Sequence, residues 1–390
     1  MRNFQIFVFL FLYLAALQTP FAQDTTLWRL PEGSEAPFGR TAINAAVFSP
    51  DGTRLAAATA NGILLYDTYT GEELAMLPAS MDTVTALAFS PDNQTLASAG
   101  VDATLHLWNI YTGEHTTDFT GHAYPIVSLA FSPDGQTLAS GSFREIRLSD
   151  LSTKQPIHTT VPRGHRDMVT TLVFSPDSKI LASTSFYGTV RLWDVETGQP
   201  RHSLAAHTDA ITALAFAPDS QTLATGGYWS PDTESTIRIW DIHTGQLLKT
   251  FETYTDPVFA LAFSPEPDSI YGNTLVSAGW DNTIRLWNPQ TAELQGTFKS
   301  DTAPILAVAF LQEPSSVAAD TLAGASLDGT IQLWSLTSVS KPWDVNADGV
   351  VNILDLTFVA SRFGESSPDL NGDGIVNILD LVRIAQHIEE

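Results

Sequence analysis

The sequence predicts an all-β domain of repeated small sheets, followed by a short α segment that holds metal. Two observations predict the first part. A hairpin signature returns at near-constant spacing, and Gly and Pro, 25 and 22 of 390 residues, punctuate the chain at short intervals. A third predicts the second part: "DVNADGVVNILD" at Asp344 is written again as "DLNGDGIVNILD" at Asp369. The chain is longer than one domain of about 100–200 residues, and 44% hydrophobic residues suffice for a sizeable core.

Charge and cysteine content narrow the function classes. A net charge of −24 and a pI near 4.5 repel polyanions, so neither nucleic acid nor an anionic membrane surface is expected as a partner. The absence of cysteine rules out thiol nucleophiles, zinc–thiolate sites, disulfides and a lipidated N-terminal cysteine.

The first element is "MRNFQIFVFLFLYLAALQTPFAQD": one cation at Arg2, an apolar run from Phe4 to Leu17, and a small-residue end at Ala22. This is the build of a secretory signal peptide over residues 1–22, with cleavage after Ala22. The alternative is a short membrane anchor, but the run falls short of the roughly 18–20 residues that span a bilayer. Export to the periplasm or the extracellular space is therefore expected, with no membrane span in the mature chain.

The repeats come next. "VFSPDG" at Phe48 returns as "AFSPDN" at Phe89, "AFSPDG" at Phe131, "VFSPDS" at Phe174, "AFAPDS" at Phe216, "AFSPEP" at Phe263 and "AFLQEP" at Phe310. The spacings between these phenylalanines are 41, 42, 43, 42, 47 and 47 residues. Each signature leads into a "TLASAG"-like strand and then an "IRLWD"-like strand, ending at Tyr66, Trp108, Ser149, Trp193, Trp240, Trp287 and Trp334. Three short strands per unit at this period resemble WD-repeat β-propeller blades, seven of them, within residues 23–340.

A fourth strand follows in the first six units, as in "GEELAMLPA", but little chain remains for one after Trp334. The unassigned "DTTLWRL" near the mature N-terminus is expected to supply it and close the ring, removing free sheet edges. Blades of the resembled family often carry a His–Ser/Thr–Asp–Trp network. Here His122, His165 and His207 precede some blades while Asp102, Asp281 and Asp328 mark others, so these residues are read as structural remnants.

In such propellers, partners usually dock on the face carrying the turn between second and third strands. That turn holds Phe143, Phe186 with Tyr187, Tyr228 with Trp229, and Trp280 in four consecutive units. Two readings stand: the rings cover neighbouring turns, or they form an aromatic patch for a protein or glycan partner. Insertions at "PEPDSIYGN" and "QEPSSVAAD" fall in the first hairpin, on the opposite face. A phosphate loop, a dinucleotide glycine fingerprint, HExxH and GxSxG are all missing, so the expectation is a non-enzyme. The alternative is a glycan-active propeller, a hydrolase or lyase.

The paired dodecamers present oxygen ligands at the spacing of an EF-hand-type calcium loop. Positions 1, 3, 5, 7, 9 and 12 are Asp344, Asn346, Asp348, Val350, Asn352 and Asp355 in the first copy. The second has Asp369, Asn371, Asp373, Ile375, Asn377 and Asp380. Val350 and Ile375 would ligate through backbone carbonyls, and Gly349 and Gly374 make the sharp turn at position 6. Two Ca2+ ions are expected, and so small a segment needs them to fold. Position 12 is Asp rather than Glu, and helices only follow the loops, as "LDLTFVASRF" and "LDLVRIAQHI". These loop–helix duplicates resemble type I dockerin modules over residues 341–390. The resemblance implies a cohesin-like partner, met at positions 10 and 11: Ile353-Leu354 and Ile378-Leu379. The same apolar pairs also suit inward packing or self-association. The sequence thus reads as a secreted, two-domain adaptor, with a glycan-active enzyme or a surface-layer component as alternatives.

Overall fold

Segments such as "VTALAF" and "TLASAG" alternate branched or large apolar residues with Ala and Ser. The branched positions favour extended backbone, and the small ones let a neighbouring sheet approach closely. The computed structural model describes Leu27–Arg29, residues 45–336 and residues 359–361, apart from positions 60, 69, 79–83, 160–163, 187, 208–209, 228–234, 255–256, 265–273, 301–302, 312–320 and 327–329. In it the strands form seven antiparallel four-stranded sheets. These are the blades of a propeller, numbered one to seven from Ala45.

Blade two shows the plan: Val84–Phe89 pairs with Thr95–Gly100, then Leu105–Asn109, then His115–Phe119 at the outside. Second strands are buried along almost their whole length, as in Thr137–Ser142 and Ile180–Ser185, because a blade packs on each side of them. Each pair of neighbouring blades shares one apolar cluster, and the seven clusters complete the ring. Phe48, Leu55 and Tyr66 of blade one pack with Ala323 and Ala325 of blade seven to close it. The aromatic that ends each third strand packs back onto the preceding blade: Trp108 onto Ile63, Leu65 and Leu77, and Trp287 onto the blade-five Phe251 in a stack at 5.5 Å. Blade three carries Ser149 at that position, and its interface with blade two is filled by aliphatic residues and Phe119 and Phe131.

The expected clasp is present. Leu27–Arg29 is the outer strand of blade seven, antiparallel to Thr330–Ser335, with Leu27 opposite Gln332 and Arg29 opposite Thr330. Both ends of the propeller segment therefore build one sheet.

Turn chemistry accounts for the repeated signature. In blades one to four the serine bonds the aspartate two residues on, at 2.5–2.6 Å (Ser49–Asp51, Ser90–Asp92, Ser132–Asp134, Ser175–Asp177), and the same hydroxyl accepts the amide that opens the second strand. The residue after the aspartate is left-handed in every one of these turns and in blade five: Gly52, Asn93, Gly135, Ser178 and Ser220. Asp67, Asn109, Asp150, Asp194, Asp241 and Asn288, which end or follow the third strands, likewise cap the next turn. These eight aspartates are thus turn caps.

The signal-peptide segment, all twelve calcium-ligand positions and Ile353, Leu354, Ile378 and Leu379 lie outside the described residues, as do the insertions of blades six and seven. Within the first helix expected after a loop, Val359 and Ala360 are helical and Val359 is fully buried. No helix among the described residues is long and apolar enough to cross a membrane.

Candidate partner-binding face

Because the four strands of a blade alternate in direction, the second turn of each blade and the loop entering it open on one face. The aromatic candidates lie there. Phe143 is half-buried; its ring meets Tyr124, from the loop entering blade three, edge-on at 5.2 Å, and Tyr124 itself is 53% exposed. The turn is tied down by a bridge from Phe143 to Met168 and by the Arg144 amide donating to the Asp167 carbonyl at 3.0 Å. The Arg144 guanidinium stands over the Phe143 ring at 5.9 Å, within cation–π range.

Blade six repeats the pattern with other residues. Trp280 is half-buried and meets Phe259 of the innermost strand edge-on at 6.0 Å, while its amide donates to the Pro257 carbonyl. Phe186 of blade four is also half-buried. Tyr187, Tyr228 and Trp229 fall outside the described residues. Each ring with a described contact leans on a neighbour and is partly exposed. Tyr124 and Phe259 were missed by sequence reasoning, which followed only the second turns. Phe259 is recognisable in retrospect, since innermost strands elsewhere carry Thr85, Thr170 or Thr212 at that position.

Beneath this face sit the histidines. His165 Nε2 contacts Ser183 Oγ at 2.7 Å, and the Trp193 indole donates to the same hydroxyl at 2.8 Å. His207, Thr225 and Trp240 form the equivalent chain at 2.9 and 3.2 Å. Burial, reinforced by Arg191 and Arg238 respectively, lowers both imidazoles to about 4. In blade three His122 bridges Ser140 and Glu145, and Arg147 also donates to Glu145. Burial lowers His122 as well, although Glu145 opposes it. Gly121 stands beside it at a φ of 126°, a conformation that side-chain-bearing residues rarely adopt. Asp102 and Asp281 bond His106 and Arg285 within their own blades. Asp328 lies outside the described residues.

The repeat profile described as "WD domain, G-beta repeat" matches six segments: 71–109, 113–144, 154–194, 198–241, 245–288 and 292–335, well over half of the chain. The chain belongs to the WD-repeat family. Five of the six matched WD repeats begin with the outer strand of one blade and end with the third strand of the next, and the match 113–144 stops just short of the third strand at Glu145–Asp150, so repeats and blades are offset by one strand. The seventh unit of the WD propeller is the interrupted pair Leu27–Arg29 and Ala45–Asp67, which is why six matches build seven blades. Among curated proteins, WD repeat-containing protein 1 of Gallus gallus is 41% identical over 71 residues, 17% of this chain and 12% of the relative. The intraflagellar transport protein 122 homolog of Mus musculus is 39% identical over 61 residues, 16% of this chain and 5% of the relative. The aligned stretch thus spans only a small part of either relative. WD propellers generally bind protein partners.

Proposed function

We propose that this protein is an exported, non-catalytic adaptor. Its WD propeller takes a protein or glycan partner on the face of the second turns, and its C-terminal module binds two Ca2+ and docks to a cohesin-like partner. The observation that carries the propeller half is the pair of half-exposed aromatic contacts on that face, Tyr124–Phe143 and Phe259–Trp280. Such rings give large contact area at low entropic cost. The module half rests on the chemistry of its donors: two dodecamers with carboxylate, amide and carbonyl oxygens at alternate positions, suited to a hard cation of six to eight ligands. Export rests on the leader-like composition of residues 1–22.

The deciding experiment is a calcium-dependent pull-down from the native secretome, with the full chain and with a chain ending at residue 340. Capture lost on chelation and on truncation supports docking through the module. Capture lost instead in the double variant Phe143→Ala, Trp280→Ala, with unchanged circular dichroism, supports the propeller face. Sugar released from plant or algal polysaccharide by the purified chain would overturn the non-catalytic reading.

A further inference from the structure

We propose that blade two carries a binding site for a zinc-class divalent ion, formed by His106, His115 and Asp118 on its two outer strands. The three ligand atoms lie within 4.8 Å of one another. Asp118 Oδ1 is 2.6 Å from His106 Nδ1 and 2.7 Å from His115 Nε2. Two imidazoles and one carboxylate are the mixed nitrogen–oxygen set preferred by Zn2+ and its transition-metal neighbours rather than by Ca2+.

The backbone builds this convergence. His106 stands directly opposite Asp118 across the two strands. Residues 115 and 118 would point to opposite sides of a regular strand, since side chains alternate. A register shift between Leu107 and Trp108 leaves Thr116 without an opposite number and returns His115 to the side of Asp118. The same shift recurs in blades one and three to six, so the scaffold is general, and among the described residues blade two alone arms it.

The departure from the repeat is specific. The position of His106 is arginine in blades three to six, and the position of Asp118 is Thr or Ser in those blades. In blade six Arg285 reaches Asp281; in blade two His106 Nε2 reaches the equivalent Asp102 at 2.9 Å. His106 thus faces a carboxylate on each ring nitrogen, while a neutral imidazole carries one N–H. A cation at Nδ1 takes the place of the Nδ1–Asp118 hydrogen bond, with Asp102 orienting the ring from behind at Nε2, as carboxylates do for metal-bound histidines. Zinc at about 2.0–2.2 Å from each ligand sets neighbouring ligand atoms about 3.3 Å apart, so the two imidazole nitrogens, within 4.8 Å of each other, settle to that spacing and Asp118 withdraws by less than about 1 Å. It is free to do so, its side chain being 45% exposed, and His115 is 39% exposed, so the remaining coordination positions open to solvent.

The test is a Zn2+ titration of the full-length chain by calorimetry in excess Ca2+, which occupies hard-cation sites, with Cu2+ electron paramagnetic resonance as a second readout. One Zn2+ per chain is expected at micromolar affinity, with a two-nitrogen Cu2+ signature. His115→Ala and Asp118→Asn should each weaken binding at least tenfold, and His243→Ala, on blade five, should leave it unchanged. No uptake by the wild-type chain, or full uptake by a folded His115→Ala variant, would overturn the site.

Discussion

His165 and Trp193 meet on one hydroxyl, that of Ser183, from which they stand 2.7 and 2.8 Å away inside the interface between blades three and four. One side chain from an entering loop, one from a second strand and one from a third strand are thereby joined. This buried arrangement requires a neutral imidazole, and that has a consequence for pH.

Stability should fall as the medium is acidified. In the unfolded chain these histidines titrate near 6.5, whereas His165 and His207 are held at about 4 in the fold. Between those values the unfolded state binds more protons, so stability is complete above about pH 7 and is lost as pH falls through 6.5 toward 4. For the fully buried His165 the loss approaches about 3 kcal/mol. Urea midpoints at pH 7.5 and 5 should show it, and His165→Gln should flatten the slope. Below pH 4, Asp194, held near 2 chiefly by its bond to Arg201, adds a further loss in the same direction.

The clasp should matter for the whole ring. Deleting residues 24–32 removes the strand paired with Thr330–Ser335 and leaves blade seven with an open edge. A melting temperature lowered by 10 °C or more, on the order of several kcal/mol, together with concentration-dependent aggregation, is expected. An unchanged melt would refute the clasp's role.

Neighbouring blades are also stitched at the first hairpin. Ser178 Oγ and Ser220 Oγ each accept the amide of the preceding blade's aspartate, Asp134 and Asp177, at 3.1 Å, and Asn93 makes a longer contact of 3.4 Å to the Asp51 amide. Blade three has Gly135 at that place, with a φ of 70° and space for a Cβ 3.6 Å from Pro91. Gly135→Asn and Gly135→Ala both bear the left-handed strain, but only Asn can reach the Asp92 amide. Asn should therefore be the more stable of the two by about 1 kcal/mol in urea unfolding.

Trp193 is 1% exposed and donates to Ser183. Trp193→Phe should cost about 1–2 kcal/mol, mainly the bond, and Trp193→Ala about 3–5 kcal/mol, mainly the cavity. A cost near zero for Trp193→Phe would show that the hydrogen bond contributes nothing.

Much of this propeller was legible before any coordinates. The Phe–Ser–Pro–Asp turns are read from adjacent residues, because a serine hydroxyl, an aspartate and a left-handed residue act over five positions. The clasp was legible by subtraction: six units had a fourth strand, the seventh lacked one, and "LWR" was unassigned. The rim was legible only in part. Phe143 and Trp280 stood at the expected turns, but their partners Tyr124 and Phe259 come from a loop and an inner strand that no local pattern links to them.

The sequence alone therefore determined what depends on near neighbours: strand periodicity, turn chemistry, the number of units and the calcium-type ligand spacing of the two dodecamers. The tertiary structure decided what depends on separated segments meeting: that each third-strand aromatic packs on the preceding blade, and that His165 and His207 are shielded. It also decided that a one-residue bulge brings His115 round to face Asp118 and His106. The physical reason is parity. A strand read alone puts residues three apart on opposite sides, and only its pairing with a neighbour shows where that alternation is broken.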